Sequence, residues 1–333
     1  MRVRSAAGLD AIDRDALIDS TGRTLKELRA TLTPRWGIVW RDLLAGHAAL
    51  AAAVAVLAWI QSELPPPVVE GRFAPGAGAA WLGAALLGAL SIGYVVAYIQ
   101  LFFHEAAHFL VARDRKLNDR LANLFIGSIV GMDIKAYRPI HFDHHRFLGT
   151  PQDTERMYFD PLNWRFVVES LTGVKVVKVM LHREKASAAE RGQLNRQLVL
   201  GVLLNAALLG TAVYFELWLL SCAWLLGMAV AYPFFVAIRQ VLEHRSFLAG
   251  SDSQYYRSTE REPTTRLFGD GILASTLGGA GFNRHLLHHW DPQVSYTRLR
   301  DLEAFLADTQ AAAVLETHRA TYRSSFLALM RSN

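Results

Sequence analysis

The sequence predicts an all-α integral membrane protein: four transmembrane helices in two hairpins, under a helical cytoplasmic cap that carries a di-metal site. Three observations carry that prediction. Four apolar runs are long enough to cross a bilayer, eight of the twelve histidines fall in three tight clusters, and the Lys and Arg residues are spread unevenly around the runs.

The chain has 333 residues, of which 52% are hydrophobic and 20% charged. A soluble chain of this length would usually form two domains. Here the apolar residues concentrate in runs instead. Residues 1–42 are charged and polar, without the pattern of a cleaved signal peptide, and predict a cytoplasmic arm with one amphipathic helix around Ala16 to Leu32. Leu43 to Ile60, broken only by His47, is the first span, and Trp81 to Phe103, without a charge, is the second. Leu198 to Phe215 and Leu217 to Ile238 are the third and fourth, separated by little more than Glu216. At about 1.5 Å per helical residue each run can cross a hydrocarbon core of about 30 Å.

Between the hairpins, the second span is expected to run on past the bilayer to carry His104 and His108. Leu121 to Met132 is apolar but too short to span, and suits a re-entrant or interfacial segment. Leu162 to Leu181 mixes large apolar residues with Arg165, Lys175 and Lys178, as a helix lying in the interface does. The remainder is polar and is expected to end in a helix of about 30 residues. These boundaries divide the chain into the arm (1–42), a membrane part (43–241) with a cytoplasmic histidine-bearing segment (104–197), and a C-terminal cap (242–333), acting together as one domain. Cys222, the only cysteine, excludes disulfides and is expected to be a small buried apolar residue.

Net charge is +5, and its placement says more than its size. Eight Lys and Arg precede the first span, one (Arg72) lies between the first two, fifteen lie between His104 and Leu198, and eleven follow the fourth. The positive-inside rule then puts both termini and all three clusters in the cytoplasm, as in a bacterial inner-membrane protein. The cations flank membrane segments, so headgroup contact explains them and nucleic-acid binding does not.

The clusters are His104-Glu-Ala-Ala-His108, His141-Phe-Asp-His144-His145 and His285-Leu-Leu-His288-His289. Chance would supply roughly 0.02 H-x-x-H-H matches in such a chain, and two occur. Residues at i, i+3 and i+4 share a helix face, so each cluster can present imidazoles to one centre. A ninth candidate, His244, follows the fourth span, with Gln240 one turn before it. One zinc site needs three or four ligands. Eight or nine imidazoles favour two iron ions engaged in oxygen chemistry, although the ligand type also admits zinc or copper. Ligating histidines need partners for their second nitrogen, usually carboxylates. Glu105, Asp143, Asp153, Glu243 and Asp291 are the candidates, and Gln240 is a candidate for holding a water on the metal. His47, near the end of a span, is expected to be hydrogen-bonded at the interface, and His182 and His318 to be solvated. Tyr94, Tyr98 and Tyr214 are candidates for shaping a substrate tunnel, although packing within the bundle is the expected role of each.

These three boxes, in this order and with two pairs of spans at these intervals, resemble the membrane-bound fatty acid desaturase superfamily with its related hydroxylases and ketolases. The resemblance covers about Trp81 to Arg300. It implies a four-span bundle under a cytoplasmic cap and a di-iron centre on His104, His108, His141, His144, His145, His244, His285, His288 and His289. It also implies O2 as co-substrate and a lipid or fatty acyl chain threaded past the metals. The first box has three intervening residues, unlike the four of animal acyl-CoA desaturases, and the third begins with histidine, not the glutamine of front-end desaturases. The run from His141 to Gly149 with Asp153, and Glu243-His244, are similar to sphingolipid desaturases, whereas Trp290 departs from what many members carry after the third box. No His-Pro-Gly-Gly haem motif occurs. Electrons are therefore expected from a separate donor, a ferredoxin or a cytochrome b5 with its reductase.

The resulting expectation is an oxygen-dependent desaturase of an acyl or sphingoid chain. The alternative on the same scaffold is a lipid or carotenoid hydroxylase or ketolase. The alternative from another class is a membrane metal transporter or sensor. That protein would place its ligands inside several spans, whereas here they follow them.

Overall fold

The computed structural model describes residues 8–9, 12–150, 152–182, 188–249 and 265–331, without the side chains of 69 and 182–195. In order, the helices are α1 (Leu25–Thr31), α2 (Trp36–Glu63), α3 (Pro75–Ala107), α4 (Arg115–Ala122), α5 (Ser128–Val130), α6 (Ile134–Phe147), α7 (Trp164–Leu171), α8 (Val174–His182), α9 (Ala188–Tyr214), α10 (Trp218–Leu226), α11 (Tyr232–His244), α12 (Ile272–Thr276), α13 (His285–Trp290), α14 (Leu299–Ala307), α15 (Ala312–Thr317) and α16 (Tyr322–Arg331). Two-residue strands β1 (Val68–Val69) and β2 (Arg72–Phe73) pair antiparallel in the connection between α2 and α3, so among the described residues the regular structure is helical apart from this hairpin and two isolated bridges.

Among the described residues, four helices are long and apolar enough to cross a membrane: Trp36–Glu63, Pro75–Ala107, Arg196–Tyr214 and Trp218–His244. They contain the four predicted runs, each with small changes at its ends. The last is α10 and α11 joined through one π-helical segment, Gly227–Ala231. Their outer faces expose Trp59, Leu87, Leu203 and Leu225, the surface a lipid-facing helix needs. Cys222 is exposed on such a face, not buried as expected.

The central element is α3, which packs against α2, α10 and α11. Gly93 lets it approach the π segment. A Cβ there would lie 2.5 Å from Ala231 Cβ and 2.6 Å from the Tyr232 nitrogen, so no larger residue fits without moving backbone. At the hairpin turn, Glu216 adopts φ 57°. Gln61 of α2 pins that turn by donating to the Glu216 carbonyl at 2.7 Å and accepting from the Leu219 N–H at 2.8 Å.

Three predicted helices are shorter than expected. In the arm, Asp19 gathers the N–H groups of Thr21 and Arg23 around Gly22, and a capping box between Thr24 and Glu27 starts α1 afresh. The helix therefore covers only the second half of Ala16 to Leu32. The 162–181 segment divides into α7 and α8 at Gly173, φ 74°. The C-terminal 30-residue helix is instead α14, α15 and α16; Thr321 and Ser324 bond each other's backbone N–H to begin the last of these.

The arm packs on the C-terminal helices. Arg29 pairs with Asp291 at 2.7 Å, and Arg14 donates to the Trp290 carbonyl at 2.6 Å with its guanidinium over the Trp290 ring.

Candidate metal centre

The first box sits where α3 stops. His104 lies in its last turn and His108 is its C-cap, so the helix ends one residue sooner than two same-face histidines require. Phe109 turns the chain with φ 60°, and the N–H groups of Phe109 and Leu110 return to the carbonyls of Ala106 and Glu105 at 3.1 and 3.0 Å. That is a Schellman closure with phenylalanine where glycine is usual. Two side chains offset the strain. Asn118, fully buried, donates to the Ala106 carbonyl at 2.9 Å and accepts from the Val111 N–H at 3.0 Å. Arg138 of α6 donates to the Ala107 carbonyl at 2.9 Å, pairs with Asp119, and lays its guanidinium 3.9 Å over the Phe109 ring. A cation at the negative end of α3 is favourable, and this one joins the helix of the second box to that of the first. Neither residue carries a signal in the sequence.

The second box lies on α6. Asp133 starts that helix by accepting from the N–H groups of Lys135 and Ala136 at 2.8 and 3.2 Å. The third box is α13, placed by the left-handed residues Ala280 (φ 50°) and Gly281 (φ 87°) before it. His244 is the last residue of α11, whose end Arg266 closes by donating to the carbonyls of Leu242, at 2.7 Å, and Arg245.

All nine histidines converge. His104, His108, His141, His145 and His288 form one set whose ligand atoms lie within 4.8 Å of one another. His144, His244 and His289 form a second set, and Glu243, His244 and His285 a third that overlaps it. His145 and His289 stack at 4.2 Å, so the sets adjoin.

The ring nitrogens face inward. Nε2 of His141 lies 2.8 Å from that of His108 and 3.0 Å from that of His145, which lies 3.1 Å from that of His288. Nε2 of His285 lies 2.9 Å from that of His244 and 3.1 Å from that of His289. One ring nitrogen has a single proton or a single lone pair, so hydrogen bonding cannot satisfy His141, His145 or His285 toward both neighbours. Lone pairs turned onto a cation do satisfy them. Imidazoles bound at about 2.1 Å and at right angles stand about 3.0 Å apart. His104 is buried with no hydrogen-bond partner at either ring nitrogen among the described residues. The histidine clusters thus fit a metal site.

Electrostatics agree. Burial first, and the Arg138 guanidinium second, push His108 down to about 3. Burial followed by neighbouring imidazoles holds His141, His145, His285, His288 and His289 well below the ordinary range. The neutral ring is the form that binds metal.

The expected supporting residues divide. Asp153, fully buried, accepts from His144 Nδ1 at 2.8 Å. Glu243 lies 4.0 Å from His285 Nε2, held by Arg239 at 2.5 Å and by the Tyr322 hydroxyl at 2.9 Å. The other three carboxylates do something else. Glu105 accepts from the Tyr296 N–H at 3.3 Å and fastens that loop to α3. Asp291 holds Arg29, and Asp143 is exposed, because it projects from the outer face of α6. Gln240 donates to Glu155 at 2.6 Å. Glu155, buried and overlooked in the sequence, also accompanies the centre.

Of the remaining histidines, His47 faces the carbonyls of Leu43 and Phe125, each at 2.9 Å. His318 is buried against the Val314 carbonyl at 2.8 Å, not solvated. The His182 side chain lies outside the described residues.

A cavity of about 350 Å³ adjoins the histidines. His104, His141, His144, His244 and His285 form one part of its wall, and Met132, Val179, Leu198 and Met228 are among its apolar lining. Tyr94, Tyr98 and Tyr214 do not line it. Tyr94 bonds Thr276 at 2.6 Å, Tyr98 donates to the Asp42 carbonyl at 3.2 Å, and Tyr214 is exposed. Tyr137, Tyr158 and Tyr232 line it instead.

The family model described as "Fatty acid desaturase" matches residues 79–325. No curated protein matches the chain.

Proposed function

The chain belongs to the fatty acid desaturase family, and from that premise we propose that it is an oxygen-dependent lipid desaturase acting on an acyl or sphingoid chain. The observation that carries the reading is the convergence of nine buried or half-buried imidazoles on two adjoining sets beside an apolar cavity. One iron would be held by His104, His108, His141, His145 and His288, the other by His144, His244, His285 and His289. When bound, such a pair supplies activation of O2 for removing hydrogen from an unactivated methylene.

The protein's share is position and exclusion of water. The cavity holds the chain against the histidines. Asp153 fixes which nitrogen of His144 faces inward. Arg239 and Tyr322 hold Glu243 beside His285. Two hydrogens leave adjacent methylenes. With two electrons and two protons from outside, O2 becomes two waters.

The Lys and Arg asymmetry supports a cytoplasmic metal centre, where a ferredoxin or a cytochrome b5 with its reductase would deliver electrons. On this reading residues 104–197 and 242–333 form the cap over the membrane part, and the arm 1–42 braces the third box through Arg29 and Arg14.

The test is lipid mass spectrometry of a host expressing the wild type beside His144→Ala, with iron measured on both purified proteins. A lipid lighter by two hydrogens, absent with the variant, supports the proposal. A lipid heavier by one oxygen replaces it with a hydroxylase. Metal flux into proteoliposomes with no oxygen-dependent product replaces it with a transporter.

A further inference from the structure

A second pocket, of about 440 Å³, meets the apolar cavity at Asp133, which lines both. It is built by α4, by Asn123 and Lys135, and by Arg196 and Gln197. Its two acids are already engaged. Asp119 pairs with Arg138. Asp133 caps α6 and accepts from the Asn123 amide at 2.8 Å. Its four cations, Lys116, Arg120, Lys135 and Arg196, are exposed and have no carboxylate partner among the described residues. The pocket is therefore concave and polar, with a net positive charge that Asp133 offsets only in part. Arg196 stands two residues before Leu198, where the apolar run of the third span begins, so the pocket stands at the depth where headgroups meet a bilayer. Leu198, two residues further along α9, and Gly131 and Met132, just before Asp133, already belong to the cavity wall.

We propose that this pocket binds the phosphate of a membrane phospholipid whose acyl chain lies in the cavity beside the histidines, so that the substrate is an acyl chain still esterified to an anionic phospholipid. The proposal rests on the lipid-oxidising reading above. A sphingoid base carries an ammonium that four cations repel, and an uncharged glyceride gains nothing from them. An acidic donor protein would also be attracted by the charge. The pocket's concavity and its shared wall with the apolar cavity favour a headgroup with a chain attached.

The experiment uses the full-length, iron-loaded protein in neutral detergent micelles. Dipalmitoyl phosphatidylglycerol, dipalmitoylglycerol and sphingosine are offered separately, and retained lipid is quantified by native mass spectrometry. Phosphatidylglycerol should be retained above both others, and less so at high salt. Each cation near such a site contributes about fivefold, so Lys135→Gln with Arg196→Gln should weaken retention on the order of 25-fold. Lys135→Arg with Arg196→Lys should preserve it, which separates loss of charge from loss of fold. Unchanged iron content shows that the Gln variant is intact.

Equal retention of phosphatidylglycerol and dipalmitoylglycerol, or undiminished retention by the Gln variant, overturns the proposal. So does complete displacement by inorganic phosphate with no dependence on the acyl chains, which marks a free-phosphate site. Loss of donor-protein docking in the Gln variant with lipid retention intact overturns it in favour of a protein-docking face. Failure of the desaturase reading would look different: phospholipid retained as described, and no oxidised lipid in the host.

Discussion

Asp153 accepts the Nδ1 proton of His144 at 2.8 Å, with both side chains sealed from solvent. The bond leaves Nε2 of His144 as the lone-pair nitrogen and turns it toward the centre. Asp153 is itself fixed by the Glu155 N–H at 2.9 Å. A carboxylate so placed raises the basicity of the imidazole as well as orienting it. Asp153→Asn should therefore lower iron affinity by about 10–100-fold while leaving the helices formed. Iron titration beside circular dichroism checks this. Unchanged affinity would mean that Asp153 serves only the loop it caps.

Asn118 should matter to the site without approaching it. Its amide satisfies one donor and one acceptor where α3 unwinds after His104. Asn118→Ala leaves the Val111 N–H buried without this bond, whereas the Ala106 carbonyl keeps the Phe109 N–H, at a cost of about 1–3 kcal/mol. We expect a lowered unfolding midpoint in micelles, and loss of iron through displacement of His108. A midpoint within experimental scatter of the wild type would refute this account of how α3 is closed.

These two residues mark how far the sequence was legible. Apolar run length and histidine spacing are local properties, and they located four candidate spans and eight of the nine converging histidines, because a span must satisfy its own backbone and a helix face is set by its period; His244 was found by its place just after the fourth run. Asp153 was visible as an acid close to a box. Asn118, Arg138 and Glu155 were not, because their partners lie in other elements or follow a turn. Glu105 and Asp291 stand beside boxes yet face away from the histidines, because proximity along the chain does not fix which way a side chain turns. The C-terminal segment was misjudged for a related reason. Its helical composition is interrupted by Thr309 and Thr321, whose hydroxyls bond local backbone N–H groups and break one helix into three.

The lowered imidazoles make the metal-free protein acid-sensitive. Folded His108 titrates near 3, against about 6.5 in the unfolded chain. His141, His145, His285, His288 and His289 are lowered as well. Below about 6.5 the unfolded state binds protons that the folded state refuses, so stability is complete above that pH and falls as pH falls toward the folded values. Each such histidine contributes a slope of about 1.4 kcal/mol per pH unit. Iron-stripped protein should lose stability steeply between about pH 6.5 and 5, whereas iron-loaded protein should hold until protons displace the metal. Unfolding curves of both forms across that interval provide the check. Parallel curves would show that the cluster is not buried neutral.

The cavity wall makes the last prediction, because apolar side chains line it where Tyr94 and Tyr98 do not. Met228 lies in the π segment joining α10 and α11 and lines the cavity; Tyr94 and Tyr98 face Thr276 and the Asp42 carbonyl instead. Met228→Trp would push a larger ring into space the chain needs. Overpacking of this kind costs about 1–3 kcal/mol, so turnover of long chains should fall by roughly tenfold or more. Iron content should not change, since Met228 is not among the grouped candidate ligands. Shorter chains, which need less of the cavity, should suffer less. Tyr94→Phe and Tyr98→Phe remove hydroxyls that point away from the cavity and should leave the chain-length profile as it was. Product profiles over a series of acyl lengths separate the cases. A profile that shifts with Tyr98→Phe but not with Met228→Trp would return the tunnel to the tyrosines.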